Sequence, residues 1–504
     1  MNAPVRAATL TGGVKPDVDI AILGSGFSGL GMGVALLRDG RRDFVILEKA
    51  DSVGGTWRDN TYPGCACDVS SHLYSFSFEP NPNWSRMFPT QPEIRAYLNG
   101  VADKYGLRPH LRFNKKVTEM RFDEAASLWR IRTHDGQELT ARVVVSGMGG
   151  LSRPVYPDIK GAKDFQGTVF HSAEWNHDFD LTDKTVAVIG TGASAIQFVP
   201  QIQPKVAKLH LFQRTPPWIM PKHDRPMRGW EKWLFKHFPF TQDLLRGRVY
   251  LENEVRALGF NVSPKLLKAA QKIAENHLKK HVPDPVLRAR LTPDYTMGCK
   301  RVLISNDYYP ALSQPNVELV TDGIDHITAR GIVTRDGVER PVDAIIYGTG
   351  FAATDALNPV QVYGLEGRHL NKEWDPAQEA YLGVTVSGYP NLFFLMGPNT
   401  GLGHNSMIYM IESQIRYTME ALHSMQDKAA VWMSPKKAVQ AAYNAGIQHK
   451  IARTVWQQGG CKSWYQTEDG RNTTIWPDFT FVYRGKTRAV DPADYEYQRA
   501  LVSA

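Results

Sequence analysis

Cysteine is scarce in this chain: four residues in 504, at Cys65, Cys67, Cys299 and Cys461. They are too few and too scattered for a disulfide framework, and none stands in a metal-ligand spacing. That usage predicts a reducing, cytoplasmic compartment and a site without metal. No apolar run approaches the ~20 residues of a membrane-spanning helix, so no integral membrane segment is expected. The stretch through Pro16 is polar and lacks the apolar core of a signal peptide, which reads as a flexible tail over 1–16. Repeats are absent too. The net charge of +8 is spread along the chain and carries no nucleic-acid motif, so it suits small polyanions and no nucleic-acid partner is expected.

Apolar and charged fractions of 42% and 22% are ordinary, and 504 residues are enough for two or three domains with sizeable cores. What stands out is a pair of glycine fingerprints. The first runs from an apolar strand at Asp19 into Gly24-Ser-Gly26-Phe27-Ser28-Gly29, then an Ala/Leu-rich helix and the strand Phe44-Val-Ile-Leu47, ending at Glu48. The second runs from Thr185 into Gly190-Thr191-Gly192-Ala193-Ser194-Ala195, then helix and strand Leu209-His-Leu-Phe-Gln213, ending at Arg214. Glycines there let backbone approach a pyrophosphate at a helix N-terminus, and the residue closing the second strand meets the adenosine ribose. A carboxylate accepts from free ribose hydroxyls, whereas a guanidinium suits a 2′-phosphate. The first site therefore predicts FAD and the second NADPH, with electrons passing between them.

The fold expected is α/β, with two doubly wound, Rossmann-like dinucleotide-binding domains and a helical insertion in the second. Residues 17–152 and 382–504 are assigned to a discontinuous FAD domain, 153–225 and 293–381 to the NADPH domain, and 226–292 to the insertion. Within the insertion, helical periodicity coincides with Trp230, Trp233, Phe235, Phe238 and Phe240. Amphipathic helices of this kind are expected to pack on their own scaffold, although aromatics beside basic residues also suit a weak peripheral contact with lipid or a partner. Strands are expected at Val317–Val320, around Ile332 and from Asp343, the last ending in Tyr347-Gly-Thr-Gly-Phe351.

Further motifs fall in a recognisable order: Gly54-Gly55-Thr56-Trp57; Tyr62-Pro-Gly64 with Asp68; Phe165-Gln-Gly167-Thr-Val-Phe-His171-Ser-Ala-Glu-Trp175; Cys299-Lys300-Arg301; and Tyr347 to Phe351. Together with the two fingerprints they resemble a class B flavoprotein monooxygenase, and within that group a type I Baeyer-Villiger monooxygenase, from about Asp19 to Trp476. The signature ends in Asn176 where that family has Pro or Asp. Related N- and S-oxygenating flavoproteins replace the Trp, so Trp175 favours the Baeyer-Villiger side.

The resemblance implies that NADPH reduces the flavin, that reduced flavin takes up O2 as a C4a-peroxide, and that one oxygen atom is inserted beside a ketone carbonyl to give an ester or lactone. Arg301 is then the cation that stabilises the negative intermediates, in the manner of an oxyanion hole, and Asp68 holds it in place. Without the resemblance the two would read as an ordinary ion pair. Lys300 is similar to a second cation for the 2′-phosphate, acting with Arg214 and Thr215. Trp57, Tyr74 and Val117 match positions flanking the flavin or its adenine, and His171 matches a histidine that holds the linker between domains. Trp464, in Gly460-Cys-Lys-Ser-Trp464, is similar to a residue of a mobile loop that folds over NADP. Asn391 to Asn405 reads as a strand entering a glycine-rich turn near the flavin, followed by a helix from about Ser406.

Small apolar ketones and O2 are the substrates expected, with sulfides or amines as the alternative on the same scaffold. A flavin disulfide reductase or an NADPH sensor is a third reading. A reductase needs a dithiol pair beside the flavin with two or four residues between the cysteines, and Cys65 and Cys67 have one residue between them.

Overall fold

A computed structural model of the chain describes residues 14–262, 264–353, 357–461, 463–467 and 469–499. Most of the expected N-terminal tail, residues 1–13, lies outside that set.

The apolar run Val18–Leu23 forms a strand because its side chains are buried on both faces of a parallel sheet, the pattern such strands require. It pairs in parallel with Phe44–Leu47 on one side and Glu138–Ser146 on the other. Leu111–Arg112 extends the sheet beyond Phe44–Leu47, and the antiparallel strands Val117–Asp123 and Leu128–Thr133 extend it beyond Glu138–Ser146. Leu392–Phe394, some 250 residues later, also pairs with Glu138–Ser146, so the C-terminal part returns to the first sheet. Gln361–Tyr363 pairs in parallel with Val117–Asp123; a short strand upstream of 382 thus already belongs to that sheet.

The second sheet is wholly parallel, in the order Val317–Val320, Lys208–Phe212, Thr185–Ile189, Ala344–Tyr347, Thr168–His171. Its centre, Thr185–Ile189, carries the second fingerprint, and its connections run through helices such as Ala195–Ile202. A β-meander over Ile324–Ile327, Gly331–Thr334 and Glu339–Pro341 leads back into it.

Between the short parallel strands Ile219–Met220 and Leu303–Ile304 lie the helices Gly229–His237, Phe240–Ala257, Leu267–His281 and Pro285–Arg290. They pack on the rest of the chain, but with few of the early aromatics. Of the early aromatics only Phe235 is buried; Trp230, Trp233, Phe238 and Phe240 are exposed. The insertion packs on the other parts of the chain through residues such as Phe235, Phe260, Leu267 and Leu278, and polar groups add to that grip. Arg246 donates to the carbonyls of His72 and Ser75 at 2.7 and 3.0 Å, and Gln242 bonds His72 Nδ1 at 3.0 Å. Buried Glu254 accepts from Asn405 Nδ2 at 2.6 Å and from Thr480 Oγ1 at 2.7 Å, with His404 Nε2 at 3.6 Å. Burial alone would raise the Glu254 pKa, but these donors hold its carboxyl below the usual range. Among the described residues, no helix is long and apolar enough to cross a membrane.

The cysteines correct one expectation. Cys299 and Cys461 form a disulfide across 162 residues of sequence, with Cα atoms 6.1 Å apart, while Cys65 and Cys67 are free and buried. A pairing over that distance leaves no spacing signature, because only the folded chain brings its ends together.

Candidate active site

The two fingerprints are built alike. Gly24 adopts φ +92° and its N–H donates to the carbonyl of Leu47 at 2.8 Å; Gly190 adopts φ +111° and its N–H donates to Phe212 at 3.1 Å. Each loop is also met by the glycine that follows a returning strand of its own sheet. A Cβ on Gly24 would stand 3.2 Å from the Gly147 carbonyl, and one on Gly190 2.4 Å from that of Gly348. Gly147 was not singled out in the sequence, although Val143-Val-Val-Ser-Gly147 repeats the pattern of Ala344-Ile-Ile-Tyr-Gly348.

These loops line one continuous cavity of about 1690 Å³. Around its first half stand Gly24, Gly26, Phe27, Ser28, Glu48, Gly55, Thr56, Trp57, Asp68, Tyr74 and Val117. Around its second half stand Gly190, Thr191, Gly192, Ala193, Ser194, Arg214, Thr215, Lys300, Arg301 and Trp464. Gly29 and Ala195 lie behind the lining. An added Cβ on Gly29 would come 1.8 Å from the Gly24 carbonyl, so this glycine lets the helix start directly against the loop. Phe165, Gly167, His171 and Trp175 are not part of the cavity wall.

Glu48 is buried at the end of its strand, where its carboxylate accepts from Ser25 N and Oγ at 2.9 and 2.7 Å and pairs with Arg58 at 3.0 Å. Trp57 Nε1 donates to Tyr74 Oη at 3.0 Å, fixing both rings on one wall. At the other half, Lys300 and Arg214 both line the cavity, near enough to repel each other. Lys300 has its pKa lowered, first by burial and then by repulsion from Arg214. Two cations held together against that cost form a seat for a dianion, and the arrangement fits a 2′-phosphate. The positive-φ glycines, with room only for hydrogen at the loops, likewise fit pyrophosphates.

Arg301 sits where the halves meet. Its Nε and Nη2 donate to Asp68 Oδ2 at 2.8 and 2.6 Å, and Nη1 donates to the carbonyl of Leu402 at 3.4 Å. The Asp68 charge raises its pKa above the usual guanidinium range against the opposing effect of burial, so it stays charged. Sequence reasoning missed two supports. Leu402 belongs to the glycine-rich turn that precedes the helix Met407–Asp427, capped by Ser406. Gln197, on the helix of the second fingerprint, clasps Ala66 through both its backbone groups, receiving from its N–H at 2.9 Å and donating to its carbonyl at 3.1 Å. That clasp holds the 62–68 loop, and hence Asp68, opposite Arg301.

His171 is fully buried at the end of Thr168–His171, its Nδ1 accepting from Ala173 N at 3.0 Å; burial lowers its pKa. Over it cross the two strands of chain linking the sheets, tied by Val155 N to Gly350 O and by Ala352 N to Arg153 O, each at 3.0 Å. Gly167 fits because a Cβ there would meet the Asp343 carbonyl at 2.5 Å. Trp175 packs on Phe170 and Phe198. Asn176 accepts from Asp178 N at 3.1 Å, so the residue that departs from the signature serves a local turn, as Asp would, and does not line the cavity. Cys65 and Cys67 do line it, yet burial pushes the Cys65 thiol up to about 12 and Cys67 well above its usual value, which suppresses the thiolate a disulfide reductase needs.

Comparison with known proteins agrees with this architecture. Residues 21–232 match the family model described as pyridine nucleotide-disulphide oxidoreductase. Over 486 residues the chain is 54% identical to a protein of Pseudomonas aeruginosa named Baeyer-Villiger monooxygenase, covering 96% of this chain and 92% of that one. Among solved structures, the protein called OTEMO in complex with FAD and NADP superposes with a TM-score of 0.85 at 27% identity, covering 96% of this chain and all of that one. A cyclohexanone monooxygenase bound to epsilon-caprolactone gives 0.84 at 27% identity, with 95% and 99% covered. Identity of more than half, sustained over almost the full length of both chains, makes this oxidoreductase a member of the Baeyer-Villiger monooxygenase family.

Proposed function

We propose that the chain binds FAD in the first half of the cavity and NADPH in the second, and that it converts small apolar ketones to esters or lactones with O2. The observation that carries this reading is the charged Arg301, held by Asp68 at the junction of the two nucleotide-type loops. When bound, NADPH supplies the electrons and the flavin the activation of dioxygen. The chain's own task is then to orient the two groups, exclude water and stabilise negative charge at the reacting atoms.

In this reading the N–H groups around Gly24, Gly26 and Gly190, Gly192 receive the pyrophosphates, and Glu48 accepts from ribose hydroxyls. Arg214, Lys300 and Thr215 receive the 2′-phosphate, whose charge relieves the repulsion between the two cations. Arg301 places fixed donors where an oxyanion develops as oxygen adds to the carbonyl, which in a water-poor cavity is worth far more than in solution. Asp68 and the Leu402 carbonyl occupy three of its five N–H directions, and the Tyr465 hydroxyl stands beside the guanidinium; the reacting oxygen would be met by the N–H groups that remain. His171, Trp175, Phe165 and Gly167 act under the crossing linkers, setting how the two sheets sit as the cofactor changes state. The relative solved with caprolactone supports a ketone as substrate.

Arg214→Ala is expected to raise the KM for NADPH about 10- to 100-fold, the worth of one charge-assisted contact to phosphate, while changing that for NADH by less than about 3-fold. Equal effects on both nucleotides would refute the clamp. The reaction itself is tested by supplying NADPH with a cyclic ketone and, separately, a thioether. Lactone formation is the result expected; oxidation of the thioether without any lactone would assign the chain to S-oxygenation.

A further inference from the structure

We propose that the Cys299–Cys461 disulfide is a redox-active site that pins the Trp464 loop to the segment carrying Lys300 and Arg301, and so sets how tightly NADP is retained. The inference rests on the NADPH reading above and extends it to regulation of the same site.

The bond joins two short arms. From Cys299 it is one residue to Lys300 and two to Arg301; from Cys461 it is three residues to Trp464. Lys300, Arg301 and Trp464 all line the cavity. Three residues span at most about 11 Å, so with the bond closed Trp464 cannot leave the neighbourhood of the cations. The loop is otherwise held through Tyr465, which also lies beside Arg301. Tyr465 is buried at 1% exposure, packed with Phe260, Trp456 and Ile475, whereas Trp464 beside it is 46% exposed. Apart from the bond, the arms are tied by the Tyr465 contact with Arg301 and by Thr296 N donating to the Gly459 carbonyl at 3.0 Å. Gly459 is required for that approach: a Cβ there would stand 2.5 Å from Cys299 Cβ and 2.9 Å from its Sγ. The backbone is thus shaped around the sulfur pair.

The two sulfurs differ in access. Cys299 is fully buried among Trp218, Tyr295 and Met297, while Cys461 is half-buried. A dithiol reductant therefore attacks Cys461 Sγ: a thiolate forms a mixed disulfide there, the S–S bond breaks, and Cys299 leaves as a thiolate that takes up a proton. The second thiol of the reductant then displaces Cys461 as a thiolate, also protonated, and leaves as a cyclic disulfide. Two electrons have passed from the reductant to the protein. Buried in apolar surroundings, Cys299 is a poor leaving group and afterwards a poor nucleophile, so exchange is slow in both directions and the state of the bond persists.

Thiols of the denatured FAD-loaded protein are counted first, with expected values of two before and four after dithiothreitol, since Cys65 and Cys67 are free. NADP+ affinity is then measured by equilibrium dialysis on the oxidised and the reduced protein. Reduction is expected to weaken it about 5- to 10-fold and to speed proteolytic cleavage around Trp464. Cys461→Ser should show the weakened affinity without reductant and no further response to it, and in Trp464→Ala reduction should change affinity less than about 2-fold. Thermal melting is followed in parallel: if the bond only stabilises the fold, reduction lowers the melting temperature and leaves affinity unchanged. Four thiols in the untreated protein, or unchanged affinity after full reduction, would overturn the proposal. Failure of the untreated enzyme to form lactone would instead refute the ketone reading, which these binding measurements do not touch.

Discussion

Arg301→Ala should purify yellow, still take electrons from NADPH, and lose ester formation by about 1000-fold or more, with the reducing equivalents appearing as free hydrogen peroxide. The magnitude follows from removing a preorganised donor in a water-poor site, which typically costs about 100- to 1000-fold per group; Arg301 brings a full charge and more than one N–H. FAD should remain because none of the loops around Gly24, Gly55 or Glu48 depends on the guanidinium. Asp68 loses its partner, but its side chain is 27% exposed, so water replaces part of the interaction and the fold survives. Arg301→Lys tests the chemistry more narrowly. It keeps the charge and loses the planar fork that reaches Asp68 and Leu402 together, so activity should stay far below that of the parent. Ester formation in Arg301→Ala at a rate near that of the parent would remove the arginine from the reaction.

Gly29→Ala is expected to yield protein without FAD, or no folded protein. The new Cβ would stand 1.8 Å from the Gly24 carbonyl, and that atom is backbone, so only separation of the helix from the fingerprint loop relieves it. The loop is where the N–H groups converge, and moving it by the more than 1 Å required destroys the phosphate seat. Gly100→Ala is the control. Gly100 lies within the helix Gln91–Lys104, and a Cβ there meets nothing within 4 Å. That substitution should leave FAD content unchanged and stabilise the fold by about 0.5–1 kcal/mol. The flavin absorbance per mole of protein separates the two outcomes.

Both glycine loops were legible in the sequence because their physics is local: a buried strand, a turn only glycine can make, and a helix following at once. Glu48 and Arg214 were legible for the same reason, each being the residue that ends the next strand. Arg301 and Asp68 are different. They are 233 residues apart, and nothing local marks them, so resemblance alone singled them out. Their supports escaped notice for that reason too. Gln197 is one of two glutamines on a mostly apolar helix, and Leu402 acts through its carbonyl, which any residue supplies. The Cys299–Cys461 pair and the grip of Glu254 on Asn405 and Thr480 depend wholly on tertiary structure. In the insertion, periodicity located the helices but not their partners: a mixture of aromatic and basic residues does not say which face is covered, and the aromatics proved mostly exposed.

The central claim is that the junction between the two nucleotide-type loops directs one atom of O2 into a ketone. It is tested most directly by running the reaction with NADPH and a cyclic ketone under 18O2 and weighing the product. A lactone carrying one 18O is the result predicted. Full consumption of NADPH with unlabelled ketone and hydrogen peroxide as the only products would contradict it.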